Sequence, residues 1–298
     1  MKSVSLILGS GGARGLAHIG VIRWLEEHDY EIKSISGCSI GALIGGVYAA
    51  GKLDEFESWL RKITKLDMVA LLDIAWNKSG LIKGDKIINT LVDLVGDIKI
   101  ENLSINYTAV AADINEEKEV WINSGRLFDA IRASISLPMF FTPHYYNGAY
   151  LIDGGVLNPV PIAPTFNDNT DITIAVNLAG KLQPHNIKKD EAKVNDHPEN
   201  NGISTKINAY IQQFKNKVDL STHIDWGVYD IANQAFDAMQ STIARQKLAA
   251  YPPDISIEIA RNTCGTFEFD RGCEIIELGY RKAQEVLSLK EQSYFIEK

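Results

Sequence analysis

Short apolar runs at strand spacing alternate with stretches of helical spacing along nearly the whole chain. Residues 4–8 read as a first strand leading into a glycine-rich turn over 9–15. Beyond it Leu16, Ile19, Ile22 and Leu25 recur every third residue, the signature of one buried helix face. Residues 31–36 predict a second strand, and the small, apolar stretch 42–50 a buried helix closed by Gly51. Helices follow over 55–63, with Asp54 as the expected N-cap, and over 85–95, turning Ile87, Ile88, Leu91, Leu94 and Val95 inward. Strands resume at 107–112 and 119–122 across a polar turn in which Asp113 is expected to be turn chemistry. A helix over 127–134 stops before Leu137-Pro138. The apolar stretch 150–156 ends as a strand in Asp153-Gly154-Gly155, and Val160-Pro161 leads into a short helix. Further strands are expected at 172–178 and 254–259, and helices at 203–218, 226–248 and 273–287. No internal repeat interrupts this alternation, which predicts an α/β fold: a three-layer α/β/α sandwich with a mainly parallel central sheet.

Composition narrows the class. With 298 residues, 45% hydrophobic and 23% charged, the chain can bury a large core and is expected to form a single domain over 1–298. The segment 183–201 is polar, poor in large apolar residues, and reads as a mobile loop. A net charge of -8 argues against nucleic acid as the main partner, since phosphate binding needs clustered Lys and Arg. The apolar run after Lys2 is too short for a secretory signal, and no stretch approaches the length of a membrane span, so any membrane contact would be peripheral. Cys38, Cys264 and Cys273 are odd in number and lack metal-site spacing, which fits a reducing, cytoplasmic setting without a structural metal.

Two turns carry candidate chemistry. Gly37-Cys38-Ser39-Ile40-Gly41 places a serine between glycines where a strand meets a helix. At such a corner a hydroxyl is exposed on a strained backbone, and the helix start favours developing negative charge. A glycine-rich turn with an incidental serine is the plainer reading of the pentapeptide taken alone. The second turn, Gly9-Ser10-Gly11-Gly12-Ala13-Arg14-Gly15, lies between a strand and a helix. A dinucleotide fingerprint aligned on Gly12 and Gly15 finds Ser10 where its first glycine belongs, and a phosphate-binding P-loop would need Gly-Lys-Ser or Gly-Lys-Thr at its end. An oxyanion hole built from the Gly11 and Gly12 amides is a third reading, with Arg14 either bracing the loop or attracting a phosphate head group.

The serine needs a base. Of the histidines after Asp153, His185 and His197 fall in the polar segment and His223 in Ser221-Thr222-His223, with no rigid element to present them. His18, His28 and His144 read as packing or surface residues. Asp153 at its strand end is either a turn former or a general base aimed at Ser39, with glycines clearing space beside it. Met139, Phe140 and Phe141, between two prolines, would be packing or the wall of an acyl cleft, and Trp59, Met68, Leu71, Leu72 and Trp76 core or pocket.

The ordered set of Ser10-Gly11-Gly12-Ala13-Arg14-Gly15, Gly37 to Gly41 and Asp153-Gly154-Gly155 resembles the patatin-like phospholipases of the compact bacterial type. The likeness covers nearly all the chain apart from about 183–226. The departure is Ser10, where the family carries the first glycine of its loop. The resemblance implies Ser39 as nucleophile and Asp153 as base, without a metal or other cofactor, acting on a lipid or acyl-ester substrate through an acyl-enzyme. Gly11, Gly12 and Arg14 would stabilise the oxyanion. A regulatory or partner-binding protein retaining the same frame is the alternative, and a nucleotide-binding protein the third.

Overall fold

The computed structural model describes residues 1–64, 67, 71, 82–183 and 228–296. The chain divides into two compact units, Met1–Gln183 with Ala235–Lys298, and Pro184–Gln234; among the described residues all the strands belong to the first. In chain order this unit runs β1 (Lys2–Leu8), α1 (Ala17–Glu27), β2 (Tyr30–Cys38), α2 (Ile40–Ala49), α3 (Leu53–Leu60), α4 (Asp85–Val95), β3 (Asn106–Asp113), β4 (Lys118–Ile122) and α5 (Leu127–Ser134). It continues through β5 (His144–Tyr146), β6 (Ala149–Asp153) and β7 (Ile172–Gly180). Helix α6 (Val228–Ala250), which belongs to this unit from Ala235 onward, β8 (Ile255–Ala260) and α7 (Gly272–Ile296) follow.

The strands form one sheet along the path β5-β6-β3-β2-β1-β7-β8, with β4 paired to β3. The β3–β2–β1–β7–β8 pairings are parallel, as the strand-helix alternation predicts, while β4, β5 and β6 join antiparallel. Alternation along β1 sends its side chains to opposite faces. Leu6 and Leu8 join the larger core with α1, α2 and α7; Ile7 joins a smaller one with Val160, Ala175 and Ala244 of α6. Helices therefore cover both faces, giving the expected three layers.

Strand β3 sets the register on which the site depends. Its residues Ala109 and Val110 pair with β4 on one edge and with Gly37 and Cys38 of β2 on the other. Ala111 to Asp113 also pair with β4, and on their other edge with β6, where Ala111 faces Asp153. Strands β2 and β6 consequently share one edge of β3 end to end, and the last residue of each lies opposite consecutive residues, Val110 and Ala111.

Most predicted elements fall within a residue or two of their expected bounds, and 85–95 and 127–134 match α4 and α5. Asp54 is not an N-cap. Helix α3 starts at Leu53 behind Lys52, because Leu53 is drawn into the core and Gly51, at φ 67, turns the chain immediately before it. Asp54 instead occupies the first turn, where a carboxylate suits the helix dipole, and pairs with Arg23. Asp113 does shape its turn, accepting from the amides of Asn115 at 3.0 Å and Glu116 at 3.2 Å. The expected helix at 203–218 lies outside the described residues, as does the polar loop beyond Gln183. Helices α1 and α7 cross at very close range: a Cβ on Gly20 would stand 1.9 Å from the Ile276 carbonyl oxygen, and one on Gly279 2.0 Å from that of Ala17.

Candidate active site

Ser39 occupies the single residue between β2 and α2, with φ 55 and ψ −122. A side chain at positive φ costs roughly 1–2 kcal/mol and persists only where the surroundings enforce it. The enforcement is steric. A Cβ on Gly37 would stand 2.5 Å from the Gly41 carbonyl oxygen, and one on Gly41 2.0 Å from that of Leu8, so the flanking glycines allow the corner to fold against β1. The Ser39 amide donates to Ser134 Oγ at 2.8 Å, and the Ser134 hydroxyl donates to the Val110 carbonyl at 2.6 Å. The end of α5 thereby ties the corner to β3.

The Ser39 hydroxyl donates to Asp153 Oδ2. Asp153 ends β6 almost wholly buried; its amide donates to the Ser136 carbonyl at 3.0 Å, and its Oδ1 accepts from the Gly155 amide at 2.7 Å. Burial lifts the Asp153 carboxyl to about 6, against the opposing pull of the hydrogen bonds from Ser39 and Gly155. Close approach explains both glycines: a Cβ on Gly154 would stand 2.2 Å from the Val110 carbonyl oxygen, and one on Gly155 2.2 Å from Gln240 Nε2. Cys38 Sγ lies 4.0 Å from Asp153 Oδ1, and burial, then the carboxylate, push its thiol well up, so it stays protonated beside the serine.

The glycine loop is fastened to β7 and to the segment after the Asp153 turn. Its amides at Gly9 and Ser10 donate to Val176 and Pro159 carbonyls at 3.0 and 2.8 Å. Gly12 adopts φ 57 with the Thr266 carbonyl oxygen 2.5 Å from where a Cβ would sit, a place only glycine can fill. A Cβ on Gly15 would stand 2.2 Å from the Ile40 side chain, so Ile40 at the start of α2 packs directly on the loop backbone. The buried Arg14 guanidinium spans Asp237 Oδ1 at 2.9 Å and the Arg261 carbonyl at 2.9 Å, holding the loop to α6 and to the end of β8. His18, fully buried on α1, donates through Nε2 to the Gly9 carbonyl at 2.9 Å. Burial lowers it to about 4, which keeps the ring neutral and makes it a prop for the loop.

The fold thus brings Ser39 onto Asp153, with Gly37, Gly41, Gly154 and Gly155 packed tightly around the two turns and Gly15 against Ile40 next to Ser39; Gly11 lies against Leu178 and Gly12 against Thr266. Among the other histidines, His28 stacks on Trp24 with ring centroids 3.9 Å apart and His144 lies in β5; His185, His197 and His223 lie outside the described residues. Met139 is exposed at φ 70, and the partly buried Phe140 packs on Phe267, 4.5 Å between centroids, beside the Thr266 that touches Gly12. Trp59, Ile63 and Leu71 wall a cavity of about 440 Å³ with Lys62 and Lys86 at its edge; Met68, Leu72 and Trp76 lie outside the described residues. Sequence reasoning passed over Ser134, Ser136, Arg132, Asp237 and Gln240. The buried Arg132 donates to Ser136 Oγ at 2.6 Å and to the Thr142 carbonyl at 3.1 Å, fastening the loop whose Ser136 carbonyl holds Asp153. The buried position of Arg132 on a short helix was the one available sequence signal; a lone serine or glutamine carries none. Among the described residues no helix is long and apolar enough to cross a membrane, and no group of His, Cys, Asp and Glu side chains is placed to hold a metal ion.

The sequence profile described as Patatin-like phospholipase matches residues 6–166. An uncharacterised NTE family protein of Mycobacterium tuberculosis is 36% identical over 95% of this chain and 91% of its own length. The lysophospholipase NTE1 of Eremothecium gossypii is 32% identical over 54% of this chain, and the neuropathy target esterase sws of Drosophila melanogaster 31% over 60%; these matches span 11% and 13% of those longer proteins. VipD of Legionella pneumophila aligns with 96% of this chain and 66% of its own at a TM-score of 0.45 and 14% identity. The family match places the chain among lipid ester hydrolases. The chain belongs to the patatin-like phospholipase family.

Proposed function

We propose that the protein cleaves carboxylic esters of lipids through a Ser39–Asp153 dyad. The observation that carries this is the hydrogen bond from the Ser39 hydroxyl to the buried Asp153 carboxylate. As Ser39 Oγ attacks the ester carbonyl carbon, Asp153 takes its proton; a base near 6 is ionised at neutral pH yet basic enough to accept it. The resulting tetrahedral oxyanion is received by the Gly11 and Gly12 amides. Collapse expels the alcohol, to which Asp153 returns the proton, and leaves Ser39 acylated. Water, deprotonated by Asp153, then attacks the acyl-enzyme and releases the fatty acid with Ser39 restored.

In this scheme the Arg14 backbone belongs to the oxyanion loop, while its guanidinium, committed to Asp237 and Arg261, serves as the brace. Met139, Phe140 and Phe267 supply an apolar border beside the loop, suited to an acyl chain or to a peripheral lipid surface. The lysophospholipase and esterase names of the relatives support a phospholipid, lysophospholipid or simple ester as substrate. A panel of p-nitrophenyl esters of graded chain length, with phospholipid and lysophospholipid beside it, tests the reading. Hydrolysis in the wild type that vanishes in Ser39→Ala is the expected result, and turnover unchanged in that variant would overturn it.

A further inference from the structure

Ser10 stands where the family pattern has glycine, and its surroundings give the hydroxyl a use. Its amide is fixed to the Pro159 carbonyl at 2.8 Å, five residues after the base turn begins at Gly154. Its Oγ accepts from Gln240 Nε2 at 3.1 Å, and both side chains are buried. A Cβ built on Gly155 would meet Gln240 Nε2 at 2.2 Å, Ser10 Oγ at 2.7 Å and Asp153 Oδ1 at 3.0 Å, so the amide, the hydroxyl and the carboxylate crowd around one glycine. Three residues earlier on α6, and hence on the same helix face, Asp237 holds Arg14. Helix α6 thus grips the glycine loop at two points, through Ser10 at its entry and Arg14 at its exit.

We propose that Gln240 is a positioning residue for the reaction: through Ser10 and against Gly155 it locks the loop that bears the Gly11 and Gly12 amides in register with Asp153. The inference rests on the Ser39–Asp153 mechanism. A register set by one buried hydrogen bond matters because oxyanion donors act only when already aimed at the position the charge will occupy. Removing the Gln240 amide frees the loop to shift relative to Asp153. The cost falls on the transition state, since the bound ester makes its own contacts elsewhere.

The test is a double-mutant cycle on a short-chain ester, with Ser39→Ala as control and the rate of fluorophosphonate labelling at Ser39 as a second readout. Gln240→Met and Ser10→Ala should each lower kcat and the labelling rate by about tenfold or more while KM stays within about twofold. Because both act through one bond, the double variant should lose no more than the worse single. A kcat per folded molecule equal to wild type, or losses that multiply in the double variant, overturns the role. Should Gln240→Met fail to fold, Ser10→Gly removes the same hydroxyl without adding bulk, and an unchanged kcat in it overturns the role equally. If the wild type hydrolyses no ester and Ser39 is not labelled, the dyad mechanism falls and the positioning role with it. If the wild type depends on Ser39 while the Gln240 and Ser10 variants keep their kcat, the positioning role alone falls.

Discussion

Cys38 and Asp153, 115 residues apart in sequence, face consecutive residues of one strand, Val110 and Ala111. The meeting of Ser39 with Asp153 is therefore a matter of strand register. A serine one residue beyond the end of β2 and an aspartate at the end of β6 are brought together because both strands run out along the same edge of β3. A shift of either pairing by one residue would turn the functional side chain to the opposite face.

Ser39→Ala should abolish fluorophosphonate labelling and lower ester turnover by at least about a thousandfold, the scale on which losing a nucleophile is felt. The alanine inherits the same φ of 55, and only the hydroxyl is removed. Circular dichroism and the unfolding midpoint should remain near wild type; mass spectrometry after probe treatment checks the labelled site.

Asp153→Asn should separate activity from stability. Acylation should collapse by orders of magnitude, because an amide cannot take the Ser39 proton, and wild-type kcat/KM should fall as pH drops through about 6. Stability moves the other way. An aspartate raised from 3.8 to about 6 on folding favours the folded state fully below 3.8 and loses that contribution as pH rises through 6. Relieved of a buried charge, Asp153→Asn should unfold later than wild type at pH 8, by roughly 2–3 kcal/mol, and show little gain at pH 4. Urea titrations at the two pH values measure it. If Asp153→Asn kept its turnover while a single histidine variant was dead, a Ser–His mechanism would take the place of the dyad.

Gly12→Ala should lower kcat about a hundredfold and destabilise the fold by about 1–2 kcal/mol, since its φ of 57 and the Thr266 carbonyl oxygen exclude a side chain. Steady-state kinetics tells the role apart: a change confined to KM would make the loop a binding element and not an oxyanion hole.

Ser134→Ala should strand the buried Ser39 amide and the Val110 carbonyl. Leaving such groups unpaired costs about 1–3 kcal/mol, and the nucleophile corner should loosen with it. A lowered unfolding midpoint together with slower probe labelling of Ser39 is the expected pair of results.

The sequence was most legible where one local rule decides the structure. The three-residue spacing from Leu16 to Leu25, the alternation of Ile255, Ile257 and Ile259, and the glycines around Ser39 each report geometry that neighbouring residues impose. Asp54 misled because capping preference is weaker than the pull of Leu53 into the core. The three-residue strand β5 has no pattern of its own and exists because β6 offers it an edge. Ser134, Gln240 and Asp237 were silent for a different reason. Their partners lie 95, 230 and 223 residues away, and a single polar residue on a helix says nothing about so distant a hydrogen bond.

The bare crossing of α1 and α7 at Gly20 and Gly279 has a consequence for the order in which the protein can be made. Strand β1 and helix α1 are synthesised well before their partners: the other edge of β1 waits for β7, and the contact surface of α1 waits for α7. Until then a central strand has an open edge and a core helix faces water, the combination that invites aggregation in a nascent chain. Ser39 and Asp153 are both synthesised before β7 and α7, so the pair exists in the chain before the core around β1 and α1 can close.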